Sequence, residues 1–115
     1  MEGDNRLLKD GSHIYKANRE VRHAERPGFR INELEISSGR MVPWHYHNNI
    51  RDTFYLLEGQ ITIYLRNPEE EISLGPNETF SVEAKRPHKV VNPGDASSTF
   101  FVLQGIGEYD YIPLE

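Results

Sequence analysis

With 115 residues, 37% of them hydrophobic and 27% charged, the chain has the length and balance of one globular domain with one modest core. No stretch approaches the roughly 20 apolar residues of a membrane helix, and a net charge of −5 without a Lys/Arg cluster lacks the footprint of a nucleic-acid binder. The absence of cysteine removes disulfides, thiolate ligands and thiol nucleophiles, which leaves histidine and carboxylate as the strong ligating chemistry.

The opening MEGDNRLLKDG has mixed charge and no secretory apolar run, so a cytoplasmic protein is expected, with residues 1–12 flexible. Asp10-Gly11 turns into a strand candidate at His13–Lys16. Asn18–Arg26 fits either a short helix or an edge segment, ended by Pro27-Gly28. Phe29–Ile36 has strand period, with Leu34 and Ile36 on one face.

The stretch Gly39 to Gly59, GRMVPWHYHNNIRDTFYLLEG, concentrates the chemistry. Alternate side chains of a strand share a face, so His45 and His47 point one way and Trp44 and Tyr46 the other. Asn48-Asn49 supplies turn chemistry, and the aromatic and aliphatic residues that follow suit a returning strand. A hairpin across that turn puts Asp52 beside His47 as a third ligand for a shared ion.

Beyond Gly59, Ile61, Ile63 and Leu65 alternate with Gln60, Thr62, Tyr64 and Arg66, a half-buried strand. Short strand candidates follow at Ile72–Leu74, Thr79–Val82, His88–Asn92 and Thr99–Leu103, separated by Pro, Gly and Asn turns, before a Tyr-rich tail. Glu69–Glu71 reads as a solvated turn. Turns about every ten residues with no helical pattern give an all-β chain: a single domain over 1–115, a small antiparallel β-barrel or jelly roll.

Taken together, Gly39-x5-His45-x-His47-x4-Asp52-x6-Gly59 and Pro87-His88-x3-Asn92 resemble the two motifs of the cupin superfamily, with a motif core over 39–92. The resemblance implies a β-barrel with a divalent transition metal, Fe, Mn, Ni, Cu or Zn, held by His45, His47, Asp52 and His88. Asp52 stands where the family usually has the longer glutamate, which leaves it as a direct ligand, a water-mediated one, or an orienting partner of an imidazole. SVEAKR replaces the usual Pro-x-Gly turn ahead of His88. Phe54, with Met41 and Tyr64, is the candidate substrate-pocket lining, read against ordinary core packing. His13 and His23 match neither motif.

The resemblance further implies a homodimer and a small-molecule partner. It admits a metal-dependent enzyme acting on a small oxygen-bearing molecule, by dioxygenase, isomerase or lyase chemistry. The alternative is a non-catalytic ligand-binding or sensor cupin.

Overall fold

The computed structural model describes residues 17–114, so the expectations of a flexible 1–12 segment and of a strand at His13–Lys16 fall outside the described residues. All ten described elements are strands: β1 (Arg19–Arg26), β2 (Phe29–Ile36), β3 (Met41–Tyr46), β4 (Arg51–Glu58), β5 (Ile61–Leu65), β6 (Glu70–Leu74), β7 (Thr79–Val82), β8 (His88–Val91), β9 (Ser98–Gly105) and β10 (Ile112–Pro113). No described helix is long and apolar enough to cross a membrane. The 18–26 segment is an edge strand rather than a helix. It pairs with β2 through a register shift between Arg22 and Ala24.

The strands form two five-stranded antiparallel sheets, ordered β1-β2-β9-β4-β7 and β10-β3-β8-β5-β6. They face one another as a jelly-roll sandwich and do not close into one hydrogen-bonded barrel. Leu34, Phe54, Leu56 and Phe100 from the first sheet interlock with Ile61, Ile63, Leu65 and Val90 from the second. Each such side chain contributes about 1.5–3 kcal/mol on leaving water.

Along the first sheet the inner face is graded. β2 turns Arg30, Asn32, Leu34 and Ile36 inward, β9 turns in Phe100, Val102 and Gln104, and β4 turns in Asp52, Phe54 and Leu56, all of them buried. Register places Arg30 opposite Gln104 and Gln104 opposite Asp52, so one polar row crosses the mouth of the sandwich above an apolar floor. A two-residue period that stays inward while changing from apolar to polar marks where a core becomes a site.

The expected hairpin between the histidines and Asp52 does not form. β3 pairs with β10 and β8, whereas β4 pairs with β9 and β7, so the link between β3 and β4 carries the chain from one sheet to the other. Asn48 is diverted from hairpin-turn chemistry: its backbone N–H and its side-chain amide donate to the two oxygens of Asp110, at 2.9 and 2.8 Å. Ile50, 2% exposed, pins the crossing. Asp52 therefore meets His47 across the interior and not across a ladder.

Two residues of the expected motifs serve the frame. Gly59 sits at φ +87° in the β4–β5 turn, where a Cβ would come within 2.9 Å of the Ser97 carbonyl oxygen, so only glycine fits. Asn92 is fully buried; its amide donates to the carbonyls of Ile36 (2.9 Å) and Ala96 (2.8 Å), and its Oδ1 accepts from the Gly94 N–H (2.9 Å). Asn92→Ala strands three backbone groups and is expected to lower unfolding free energy by about 2–4 kcal/mol. Urea denaturation checks this, and a loss below about 0.5 kcal/mol would show that water replaces the amide at no cost.

Candidate metal centre

The histidines come from the second sheet. β3 carries one extra residue between Val42, opposite Val90, and His45, opposite His88; the resulting bulge at Pro43-Trp44 shifts the inward parity of the strand. His45 and His47 then point inward beside His88, all three at most 3% exposed. The loop before His88 turns through Lys85 at φ +70°, and the Lys85 N–H donates to the His47 carbonyl at 2.6 Å. That turn is how SVEAKR replaces the shorter family turn while still delivering His88.

Each imidazole is oriented from behind. Nδ1 of His45 lies 2.8 Å from the Pro43 carbonyl oxygen, Nδ1 of His88 2.9 Å from that of Arg86, and Nδ1 of His47 2.5 Å from that of Asp110. A carbonyl only accepts, so each Nδ1 is the donor and each Nε2 is turned to the interior with its lone pair available when the ring is neutral. Asp52 completes the group: its Oδ2 lies 3.0 Å from His47 Nε2 and 3.1 Å from His88 Nε2, while its Oδ1 accepts from Gln104 Nε2 at 3.0 Å.

The four donor atoms lie within 4.8 Å of one another. Adjacent ligands of an ion bound at about 2.1 Å stand roughly 3 Å apart, the spacing Asp52 already keeps from two imidazoles. Three imidazoles and one carboxylate suit a first-row divalent ion, and an ion that takes five or six ligands would keep one or two positions open beside them.

The electrostatics agree. Burial, helped by the neighbouring imidazoles, holds His45 well below the usual histidine range, so it stays neutral. Burial also pushes His47 down, but the Asp52 charge and hydrogen bond, with the Asp110 carbonyl behind, outweigh it and raise His47. For Asp52 burial pushes upward, and His47 and His88 more than reverse it, keeping its carboxyl well below the usual carboxylate range.

Of the expected lining residues, Phe54 faces the inner cavity, its ring centroid 6.1 Å from that of His88. Met41 and Tyr64 stand elsewhere. Simple alternation puts Met41 on the face of His45 and His47, but the bulge reverses the parity, so Val42 turns inward and Met41 is 43% exposed. Tyr64 is on the outer face of β5, with Lys89 Nζ 5.1 Å from its ring. Trp44 is outward too, covered by the Arg66 guanidinium at 3.8 Å. Among the unassigned histidines of the described chain, His23 lies outside the cluster, 2.7 Å from Glu33 on the surface.

Gln104 and the tail were not singled out from the sequence. Tyr111 stacks on His45 with centroids 4.4 Å apart at 13°, Tyr109 lies 5.5 Å from His47, and Asp110 between them anchors His47 and Asn48. Burial, reinforced by the Asp52 charge, raises the Tyr111 hydroxyl, which stays protonated. Gly107, at φ +149°, lets the tail reach the mouth; a Cβ there would lie 2.3 Å from the Asn49 carbonyl oxygen. The inner cavity is about 30 Å³, and an outer groove of about 430 Å³ shares Gln104 and Tyr109 with it as a common wall. Inward alternation of Phe100, Val102 and Gln104 was a usable signal for Gln104. The tail had only its tyrosines.

Comparison with known proteins fits this geometry. No curated protein matches the chain. Among solved structures, an uncharacterized conserved protein with a double-stranded β-helix domain from Klebsiella pneumoniae aligns with TM-score 0.74 at 16% identity, over 96% of this chain and 97% of its own. The formate complex of Lactobacillus farciminis oxalate decarboxylase aligns with TM-score 0.76 at 17% identity, over 89% of this chain and 32% of its own. A recombinant oxalate oxidase in complex with glycolate aligns with TM-score 0.69 at 16% identity, over 75% of this chain. The chain spans less than half of that oxidase, 46%. These likenesses show a shared fold. Residues 32–104, most of the domain and all four clustered ligand candidates, match the cupin domain family, and the chain belongs to it.

Proposed function

We propose that the chain is a metal-dependent cupin enzyme acting on a small oxygen-bearing molecule, with His45, His47, His88 and Asp52 as the ligands of one divalent ion. The observation that carries this reading is the convergence of four buried donors, each imidazole fixed through Nδ1 by a backbone carbonyl so that Nε2 faces the common centre. Asp52 is read as a direct, one-oxygen ligand, because Gln104 holds Oδ1 and leaves Oδ2 among the imidazoles.

Such an ion, once bound, supplies a Lewis acid for substrate oxygens and, if redox-active, an electron partner. The chain's own part is to orient and to exclude water. Phe54, Phe100 and Val102 wall the cavity, and Tyr111, kept protonated, lies beside His45 as a neutral donor. Small carboxylates in two structural neighbours, formate and glycolate, support a small oxygen-bearing ligand. Cytoplasmic location and homodimeric assembly complete the reading, on the family resemblance and the commonness of twofold pairing.

Elemental analysis of untagged protein, with dioxygen uptake and product formation followed over small hydroxy acids, diols and keto acids, is the test. Metal near one per chain with turnover is expected. Metal with saturable binding but no product would make the protein a ligand-binding cupin, and no metal after reconstitution would end the reading.

A further inference from the structure

Gln104 is 7% exposed, and only one end of its amide is used. The end facing Asp52 must be the NH2 group, because a carboxylate offers acceptors alone; Nε2 donates to Oδ1 at 3.0 Å. That assignment turns Oε1 the other way. Gln104 Oε1 is buried and has no hydrogen-bond partner among the described residues. A buried acceptor without a donor is costly enough that folded proteins nearly always satisfy it.

The Arg30 guanidinium, from the residue opposite Gln104, lies 3.7 Å over the Tyr109 ring and makes no hydrogen bond to Oε1, which leaves the cavity side for the missing donor. Gln104 sits in the polar row between Arg30 and Asp52, and it lines both the inner cavity at the imidazoles and the larger outer groove. The inner cavity, about 30 Å³, has room for one small oxygen-bearing group, and Gln104 and Tyr109 stand between it and the groove.

We infer that Gln104 works on both sides: Nε2 holds Asp52 with Oδ2 toward the imidazoles, and Oε1 accepts a hydrogen bond from a ligand hydroxyl, so the site takes a hydroxy acid or polyol in preference to an analogue without that donor. This rests on the metal-centre reading above and adds to it a substrate class and a positioning residue. A site that hydrogen-bonds a ligand hydroxyl rejects the capped analogue because its own buried group is then left unpaired.

The test uses Co(II) as a visible probe with two matched acids, glycolate, which carries a hydroxyl donor, and methoxyacetate, in which a methyl group caps it. Co(II) uptake by the wild-type protein is measured first; failure there removes the metal centre itself, independently of Gln104. With Co(II) bound, glycolate is expected to perturb the visible spectrum with an affinity about tenfold or more above that of methoxyacetate. Gln104→Met, similar in size but without donor or acceptor, is expected to bring that ratio close to one and to bind Co(II) at least about tenfold more weakly, as when an outer partner of a ligand is lost. A purely structural glutamine would lower the melting temperature and leave the ratio unchanged. Equal affinities for the two acids in the wild-type protein, or binding of neither, would overturn the inference, and that comparison needs no variant. So would a preference that survives in Gln104→Met.

Discussion

A divalent ion titrated into His88→Ala protein is expected to bind more than about 100-fold more weakly than to wild type, beyond the 10–100-fold typical of losing an outer-shell partner. His88 is 1% exposed at the centre of its sheet, opposite His45 on one side and Leu65 on the other, so no neighbouring side chain can swing in to replace it. Its removal also leaves the Arg86 carbonyl without its donor and Asp52 with one imidazole fewer. Those losses, with the void left beside Phe54, are expected to destabilise the metal-free protein by about 2–4 kcal/mol. The two effects separate in one pair of experiments, calorimetric titration with Mn(II) or Co(II) and urea unfolding in chelator. His23→Ala is the control. That ring is on the surface, bonded to Glu33, whose carboxyl is held low by hydrogen bonds from His23 and Arg19. Its loss should leave ion affinity unchanged and shift stability by no more than about 0.5 kcal/mol. Matching affinities for His88→Ala and wild type would remove His88 from the ligand set.

The position of the histidines was legible because alternation and motif spacing are local properties: His45 and His47 need only an extended backbone to share a face, and Val90 and Asn92 follow His88 by the same rule. Asp52 was placed beside His47 for the wrong reason. A short Asn-containing link reads as a hairpin, yet the link joins two sheets, and whether flanking strands pair depends on which partners claim their edges. β8 and β10 claim β3, and β9 and β7 claim β4; those partners lie tens of residues away. Met41 failed through a single inserted residue, since a bulge reverses every inward position on one side of it without changing composition. Tyr109, Asp110 and Tyr111 were unreadable as site residues because their contacts with His45, His47 and Asn48 span more than sixty positions of chain and follow no period.

The same cluster predicts how binding of the ion depends on pH. In the metal-free protein His47 has a raised pKa, so its share of stability is complete below its unfolded value of about 6.5 and is lost as pH rises through the folded one. Asp52 is depressed, so its share is complete above about 3.9 and is lost as pH falls through its folded value. His45 has the opposite sense to His47: its pKa lies well below 6.5, so keeping it neutral costs stability increasingly as pH falls below that point. Stability of the metal-free protein should therefore peak near neutrality and decline on both sides. An ion needs the His47 Nε2 lone pair, and below the raised pKa of His47 that atom carries a proton shared with Asp52. Binding must expel it. Near pH 6, about one proton should leave per ion, and apparent affinity should fall up to about tenfold per pH unit; well above the His47 pKa both effects should fade. Calorimetry in two buffers of different ionisation enthalpy counts the protons directly. Proton release that stays at zero from pH 6 to 8.5 would mean that the metal-free pair holds no proton to expel, with His47 already neutral beside an ionised Asp52, and would overturn the raised His47.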